Sequence, residues 1–276
     1  MKILVTTDFS VNSKSALRYA AAIANNNATS EIIFYHAVQV MKPTTWSESH
    51  FNKYLNNETE RLTKEMKAFV GKTLASKLNK KVKTSFIIEN SLSSTQAIID
   101  FAKKKKCDFI CISTKGAGVL RKLLGTHTEY LVNNSPVPVC AVPSDYKAKP
   151  ILKISYLSDM ENTKKEMTKV VKLNDVLRAS VEIVHFSLVS LEKFEIEKTA
   201  KLLSTDLFAG VKLTIEENNI NLSLVEKINR YVKQNKPQML IMFTKREKGF
   251  FESLFLPSKS AELTFTTKVP VLIYPK

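Results

Sequence analysis

The sequence predicts an α/β chain of two tandem domains, each a five-stranded parallel sheet flanked by helices. Short apolar runs rich in β-branched residues alternate with amphipathic helical stretches, and the same succession of segments occurs twice. Gly and Pro are scarce, six and nine in 276 residues, which argues against a hairpin-rich all-β chain.

In the first half, Lys2–Thr7 is a buried strand by composition, and Asp8, Phe9 and Ser10 precede a helical pattern through Ala16, Leu17, Ala20, Ile23 and Ala24. Asn25–Asn27 stops that helix, and Glu31–Val38 is the second strand. Phe51, Leu55, Leu62, Met66, Phe69 and Leu74 mark one face of a long helix between about Ser47 and Lys77. Val82–Ile88 is the third strand, and Ser93–Gln96 reads as a capping box opening the helix Thr95–Lys105. Asp108–Ser113 is the fourth strand, then comes a loop with Gly116 and Gly118, a short helix Thr126–Asn133 and a last strand Val137–Val142. Strands alternating with helices imply parallel pairing through right-handed crossovers.

The second half echoes the first in order. Lys153–Leu157 precedes Asp159 as Lys2–Thr7 precedes Asp8, and Val181–His185 repeats Ile32–His36. Met239–Lys245 repeats Phe109–Lys115, and Lys268–Pro275 repeats Pro136–Pro143. The boundary is expected near Tyr146–Pro150, giving domains at 1–146 and 150–276. The two terminal strands, Val137–Val142 and Val269–Tyr274, offer edges for pairing with each other. That predicts an intrachain pseudo-dimer, with a homodimer as a further step.

Apolar residues make up 44 % of the chain, enough for a substantial core, yet no stretch approaches membrane-spanning length and the N-terminus lacks a signal-like apolar run. Cys107, Cys111 and Cys140 lie in apolar strand-like surroundings and read as buried thiols, so a cytoplasmic chain is expected. The net charge of +16 divides into +9 over residues 1–145 and +7 over 146–276, so neither half is the basic one. Its dense run, Lys103–Lys106, falls at a helix end where cations oppose the dipole, and no aromatic residues interleave with it. The pattern is therefore read as solvated surface, and neither nucleic acid nor membrane is expected as a partner.

Ligands of open parallel sheets collect beyond the strand carboxyl ends, where strand order reverses. Thr6, Thr7 and Asp8 end the first strand, while Ser113 leaves the fourth and leads through Gly116 to Gly125 and Thr126 at a helix start. Small residues there let backbone approach phosphate oxygens, the helix start offers free N–H groups, and Asp8 can accept from a ribose or base edge. The local pattern alone favours a plainer reading, in which Asp8 caps the first helix and the glycines serve turns. Neither a GxxxxGK[ST] loop nor a GxGxxG turn follows a strand.

Thr-Asp-Phe-Ser after an opening strand, His36 at the end of the second, a glycine loop ending in Gly-Thr and a terminal Val-Pro-Val strand together resemble the universal stress protein family, over both copies. The resemblance implies two tandem Rossmann-like domains of the adenine nucleotide alpha hydrolase type and a regulatory protein. It implies that ATP or another adenine nucleotide, with Mg, is held by the first domain. Carried over by position, Thr7, Asp8 and Ala37 border the adenosine, and Ser113, Gly116, Gly125 and Thr126 surround the phosphates. The chain departs from the family's G-x2-G-x9-G-[ST] loop: Ser113 replaces the first glycine, and eight residues separate Gly116 from Gly125. In the second domain Arg246 and Pro257 replace both glycines and only Ser258 matches, so that copy is expected to be empty, a packing partner with Phe250 and Phe251 sealing it.

No catalytic residue is identified, and no His/Cys/Asp set has metal spacing. His36 and His185 hold matching strand-end positions and read as structural, His50 stands alone, and His127 beside Thr126 reads as capping or exposed. The leading function is nucleotide-dependent switching without turnover. The alternatives are a ligand-free interaction module, a slow ATPase or nucleotidyl transferase on the same fold, and weak nucleic-acid binding through the overall positive field, expected to vanish at moderate salt.

Overall fold

A computed structural model describes residues 1–27, 29–114, 126–186, 193–216, 221–244 and 267–275. The first half runs β1 (Lys2–Thr6), α1 (Lys14–Ala24), β2 (Glu31–Val38), α2 (Glu48–Leu74), β3 (Lys83–Asn90), α3 (Ser94–Lys104), β4 (Phe109–Thr114), α4 (Thr126–Asn134) and β5 (Val139–Pro143). The second runs β6 (Lys153–Leu157), α5 (Thr163–Leu177), β7 (Ser180–Phe186), α6 (Lys193–Leu203), β8 (Lys212–Glu216), α7 (Leu224–Asn235), β9 (Met239–Thr244) and β10 (Val271–Pro275).

The ten strands among the described residues form one sheet in the order β3-β2-β1-β4-β5-β10-β9-β6-β7-β8. Each half is parallel throughout and has the same internal order. The two five-stranded units join where β5 meets β10 antiparallel, with Leu272 opposite Cys140. The terminal strands thus pair with each other, as their apolar edges predict. Cys140 and Leu272 are fully buried there, and no strand edge is left open at the junction.

Two cores cover the sheet, and each runs through both halves. One packs α1, α2 and α5 residues such as Leu17, Met66 and Val170 against Val5, Phe34 and Ile183. The other packs Ile98, Leu131 and Ile228 against Leu4, Ile110 and Leu240. Tyr19 ties the halves together: its hydroxyl donates to the Gln238 carbonyl at 3.0 Å and its ring meets Tyr146 edge-on.

Two helix starts carry serine caps of different completeness. Ser93 accepts the Gln96 N–H at 3.4 Å, half of the expected capping box, but the Gln96 side chain turns to Asp100 and the Ser93 N–H goes to Ser91. The complete box stands at Ser223 and Glu226, opening α7.

The halves differ inside the second core. Leu4 sits opposite Ile33 in the first half, whereas the matching pair in the second is Ser155 opposite Glu182. Glu182 is almost wholly buried, 2.7 Å from the Lys153 ammonium and 3.5 Å from that of Lys212. It accepts hydrogen bonds from Thr214 and Tyr231, and Tyr231 in turn accepts from Ser155 at 2.7 Å. Burial alone would raise this carboxyl, but the bonds from Lys153, Thr214 and Tyr231 outweigh it and hold it at about 2. Because the folded value lies below the unfolded one, the carboxylate's contribution is complete above the ordinary range and is lost as pH falls toward 2.

Removing the lysine leaves a buried charge short of its main partner. Lys153→Met is expected to destabilise the fold by about 2–3 kcal/mol in urea unfolding at neutral pH, near the low end for a broken buried pair because Lys153 is partly exposed. Glu182→Gln is expected to flatten the acid limb of stability between about pH 4.5 and 2; an unchanged limb would show that the network contributes nothing.

Candidate functional site

The switch point of the first half lies at the carboxyl end of β1, which pairs with β2 on one side and β4 on the other. The loop leaving β1 is built from local side-chain bonds. Thr7 Oγ1 accepts the Phe9 N–H at 3.1 Å and lies 2.9 Å from Ser13 Oγ, and Asp8 Oδ1 accepts the Ser10 N–H at 3.1 Å. These bonds hold Phe9 at φ 59°, a left-handed conformation that costs a bulky residue about 1–2 kcal/mol. The Phe9 ring rests on His36 at 4.6 Å and meets Phe69 of α2 at 6.0 Å.

The plainer reading of Asp8 does not survive the geometry. Helix α1 starts only at Lys14, with Ser13 as its N-cap, so Asp8 is not the cap of that helix. It stands exposed at the strand end. Partial burial pushes the carboxyl up, but hydrogen bonds from Ser10 and Ser13 outweigh it and hold the group below its ordinary value, hence ionised at neutral pH. A carboxylate there is an acceptor for hydroxyl or amino groups.

His36 sits behind the loop rather than in it. Its Nδ1 is 2.8 Å from the Thr7 carbonyl, which can only accept, so Nδ1 carries the proton. The role is structural, as the sequence suggested. Ala37 follows on β2, partly buried and in register with Glu89 of β3. Thr6 is buried at the end of β1.

Ser113, at the end of β4, is engaged. Its hydroxyl donates to the Asn12 carbonyl at 2.6 Å and lies 2.7 Å from Ser15 Oγ. Ser15 Oγ also donates to the Asn12 carbonyl, at 3.2 Å, so Ser113 clamps β4 to the start of α1 through a small hydroxyl network. The structure therefore gathers Thr6, Thr7, Asp8, Ala37 and Ser113 around the ends of three adjacent strands. Thr126 is exposed as the first residue of α4, while Gly116 and Gly125 lie outside the described residues, as do Arg246, Phe250, Phe251, Pro257 and Ser258. The sequence reading missed Asn12, Ser13 and Ser15, although hydroxyls at 10, 13 and 15 were a visible sign of a loop tied by side chains.

The loop recurs in the second half. Ser158 Oγ accepts the Met160 N–H at 3.0 Å, Asp159 Oδ1 accepts the Glu161 N–H at 3.1 Å, and His185 Nδ1 lies 2.9 Å from the Ser158 carbonyl. Met160 adopts φ 64°, matching Phe9. What differs is the cover: α6 has 11 residues where α2 has 27. A cleft of about 510 Å3 opens between α5 and α6, lined by Met160, Thr163, Lys164, Glu195, Lys198 and Leu202. It belongs to the second half and is separate from the loops ending β1 and β4. Among the described residues no group of three His, Cys, Asp or Glu could hold a metal, and no helix is long and apolar enough to cross a membrane.

A parallel, doubly wound sheet repeated within one chain, with the same strained loop at each switch point, defines a duplicated Rossmann-like α/β protein. The model of the universal stress protein family matches residues 1–143, and the chain belongs to that family. A universal stress protein from Archaeoglobus fulgidus is similar in fold, with a TM-score of 0.72 at 16% identity, over 99% of this chain and 98% of that one. A protein of unknown function from Pseudomonas aeruginosa matches at a TM-score of 0.61 and 16% identity, over 99% of this chain and 92% of that one. No curated protein matches the chain in sequence.

The clamp at Ser113 has a measurable consequence. Ser113→Ala is expected to cost about 1 kcal/mol of stability in urea unfolding, the worth of an ordinary hydrogen bond. Unchanged stability would mean that the hydroxyl does not hold β4 against α1.

Proposed function

We propose that this chain is a cytoplasmic regulatory protein that binds ATP or another adenine nucleotide at the carboxyl edge of its first half. It acts by switching conformation or partners rather than by turnover. The proposed units are residues 1–146, which carry the site, and 150–276, which pack against it as a pseudo-dimer. Thr6, Thr7, Asp8 and Ala37 border the adenosine in this reading. Gly116, Gly125 and Thr126 serve the phosphates, and Ser113 holds β4 against the α1 loop beside them. Magnesium would travel with the phosphates.

The observation that supports this reading most is the ionised Asp8 carboxylate, exposed at the switch point and freed from helix capping. A positive φ at Phe9 is strain held by a loop that does not need it to start α1. To signal, the nucleotide must bind two conformations unequally. Turnover would need a base near the phosphates; Asp8 is placed at the adenosine in this reading. A second reading, an interaction module without small ligand, is favoured by the engagement of Ser113 with Asn12.

Calorimetric titration separates the two. ATP is expected to bind the wild-type chain, Asp8→Ala to weaken binding at least about tenfold, as for loss of charged hydrogen bonds, and Gly116→Val to abolish it. No heat from the wild type at millimolar ATP, ADP or AMP would leave the interaction module.

A further inference from the structure

The fold collects at one edge a charge that the sequence disperses. In a parallel sheet all strands begin at the same edge, so the chain segments entering β1, β2, β3 and β4 lie side by side. Register sets Lys2, Glu31 and Lys83 in one row across β1, β2 and β3. The Lys2 ammonium donates to the Lys105 carbonyl at 3.2 Å, and Asn25 donates to the Lys77 carbonyl at 2.7 Å. The Lys83 N–H bonds the Ser30 carbonyl, the Glu31 N–H that of Met1 and the Asp108 N–H that of Lys2, so Lys77, Lys80, Lys81 and Lys83 share one edge with the run Lys103–Lys106. All eight are exposed, and none has an ion pair among the described residues.

The acids that the first half places on this edge are already engaged. Glu31 lies 3.5 Å from the Lys2 ammonium, and Asp108 accepts the Lys2 backbone N–H at 2.6 Å. Opposition to a helix dipole accounts for Lys103 and Lys104, in the last turn of α3, but not for Lys80, Lys81, Lys83 or Lys106. From β3 to β4 the row spans three strand spacings, roughly 14 Å, a length of duplex that carries about eight phosphate charges.

We propose that this amino edge of the first half docks the phosphate backbone of duplex nucleic acid without reading its sequence. The groups present select that partner. Lysines contact phosphates as point charges and lack the bidentate fork that arginine offers to guanine. Of the rings nearby, Phe101 is half-covered, with the Lys105 ammonium 5.9 Å over it, and so offers no platform for unpaired bases. None of the exposed large apolar residues lies on these segments to enter a lipid surface, and the charges form a narrow row rather than a broad plane. The surface lies at the opposite end of the strands from Asp8, so it is independent of the nucleotide reading.

Fluorescence anisotropy of labelled 24-base-pair duplexes of two unrelated sequences tests it with the full chain. Equal affinity for both is expected, falling with salt at a log–log slope near −4 to −6, as for about five or six phosphate contacts. Lys80→Gln/Lys81→Gln/Lys104→Gln/Lys105→Gln is expected to lose at least tenfold in affinity and to shallow the slope by about 3 or 4. A charge-matched control away from this edge, Lys147→Gln/Lys149→Gln/Lys172→Gln/Lys233→Gln, is expected to lose less than threefold. Equal losses in both variants would assign the attraction to net charge and overturn the proposal. Tighter, lysine-dependent binding to vesicles of phosphatidylserine and phosphatidylcholine at the same salt would overturn it in favour of a membrane surface.

Discussion

The antiparallel pairing of β5 with β10 is the constraint on which the rest of the architecture depends. Either five-stranded unit alone would end in an apolar edge: Val139, Cys140 and Ala141 on one side, Val271, Leu272 and Ile273 on the other, all 5% exposed or less once paired. Joining them closes both edges and makes each core continuous across the molecule. The remaining edges are β3 and β8, whose strands begin with exposed Lys83 and Lys212. Because the pairing is antiparallel, it also reverses strand direction between halves. The strained loops after β1 and β6 therefore open toward opposite ends of the sheet.

That reversal explains how two copies can share one loop geometry and yet diverge. The bonds fixing Phe9 and Met160 are local, made within a few residues of each strand end, and they persist in both copies. The surroundings are set by distant segments. In the first half a 27-residue helix brings Phe69 against Phe9, whereas α6 with 11 residues leaves a cleft beside Met160. The expectation of an empty second copy rests on Arg246 and Pro257, which lie outside the described residues, while the Asp159 loop, matched in sequence to that of Asp8, keeps the same local bonds.

Much of the fold was legible because buried parallel strands write themselves as unbroken apolar runs. Lys2–Thr7, Glu31–Val38 and Lys153–Leu157 needed no tertiary information, and the repeated order fixed the duplication. What was illegible depended on partners far away in sequence. Asp8 looks like a cap because it precedes a helical pattern, but Thr7, Ser10 and Ser13 delay the helix to Lys14. Ser113 reads as a ligand donor, and nothing local shows that it also sits against the Asn12 carbonyl, 101 residues away. Glu182 in an apolar strand gives no local sign that Lys153, Thr214 and Tyr231 converge on it.

Strand direction finally decides which events in the first half are able to influence one another. The Asp8 loop and the lysine edge sit at opposite ends of β1, five residues of rigid, fully paired strand apart. Such a strand has one packed arrangement, and a ligand shifts an equilibrium only through an element that has two. At the site the loop holds Phe9 in a left-handed conformation against a cost of about 1–2 kcal/mol. That cost bounds the coupling: releasing it supplies at most roughly a fivefold to thirtyfold bias between states. In the nucleotide reading a bias of this size would act on the Phe9 ring, which rests on His36 and meets Phe69 of α2 at the carboxyl edge. It does not reach Lys105 through β1, so nucleotide and polyanion would act as separate inputs to one scaffold.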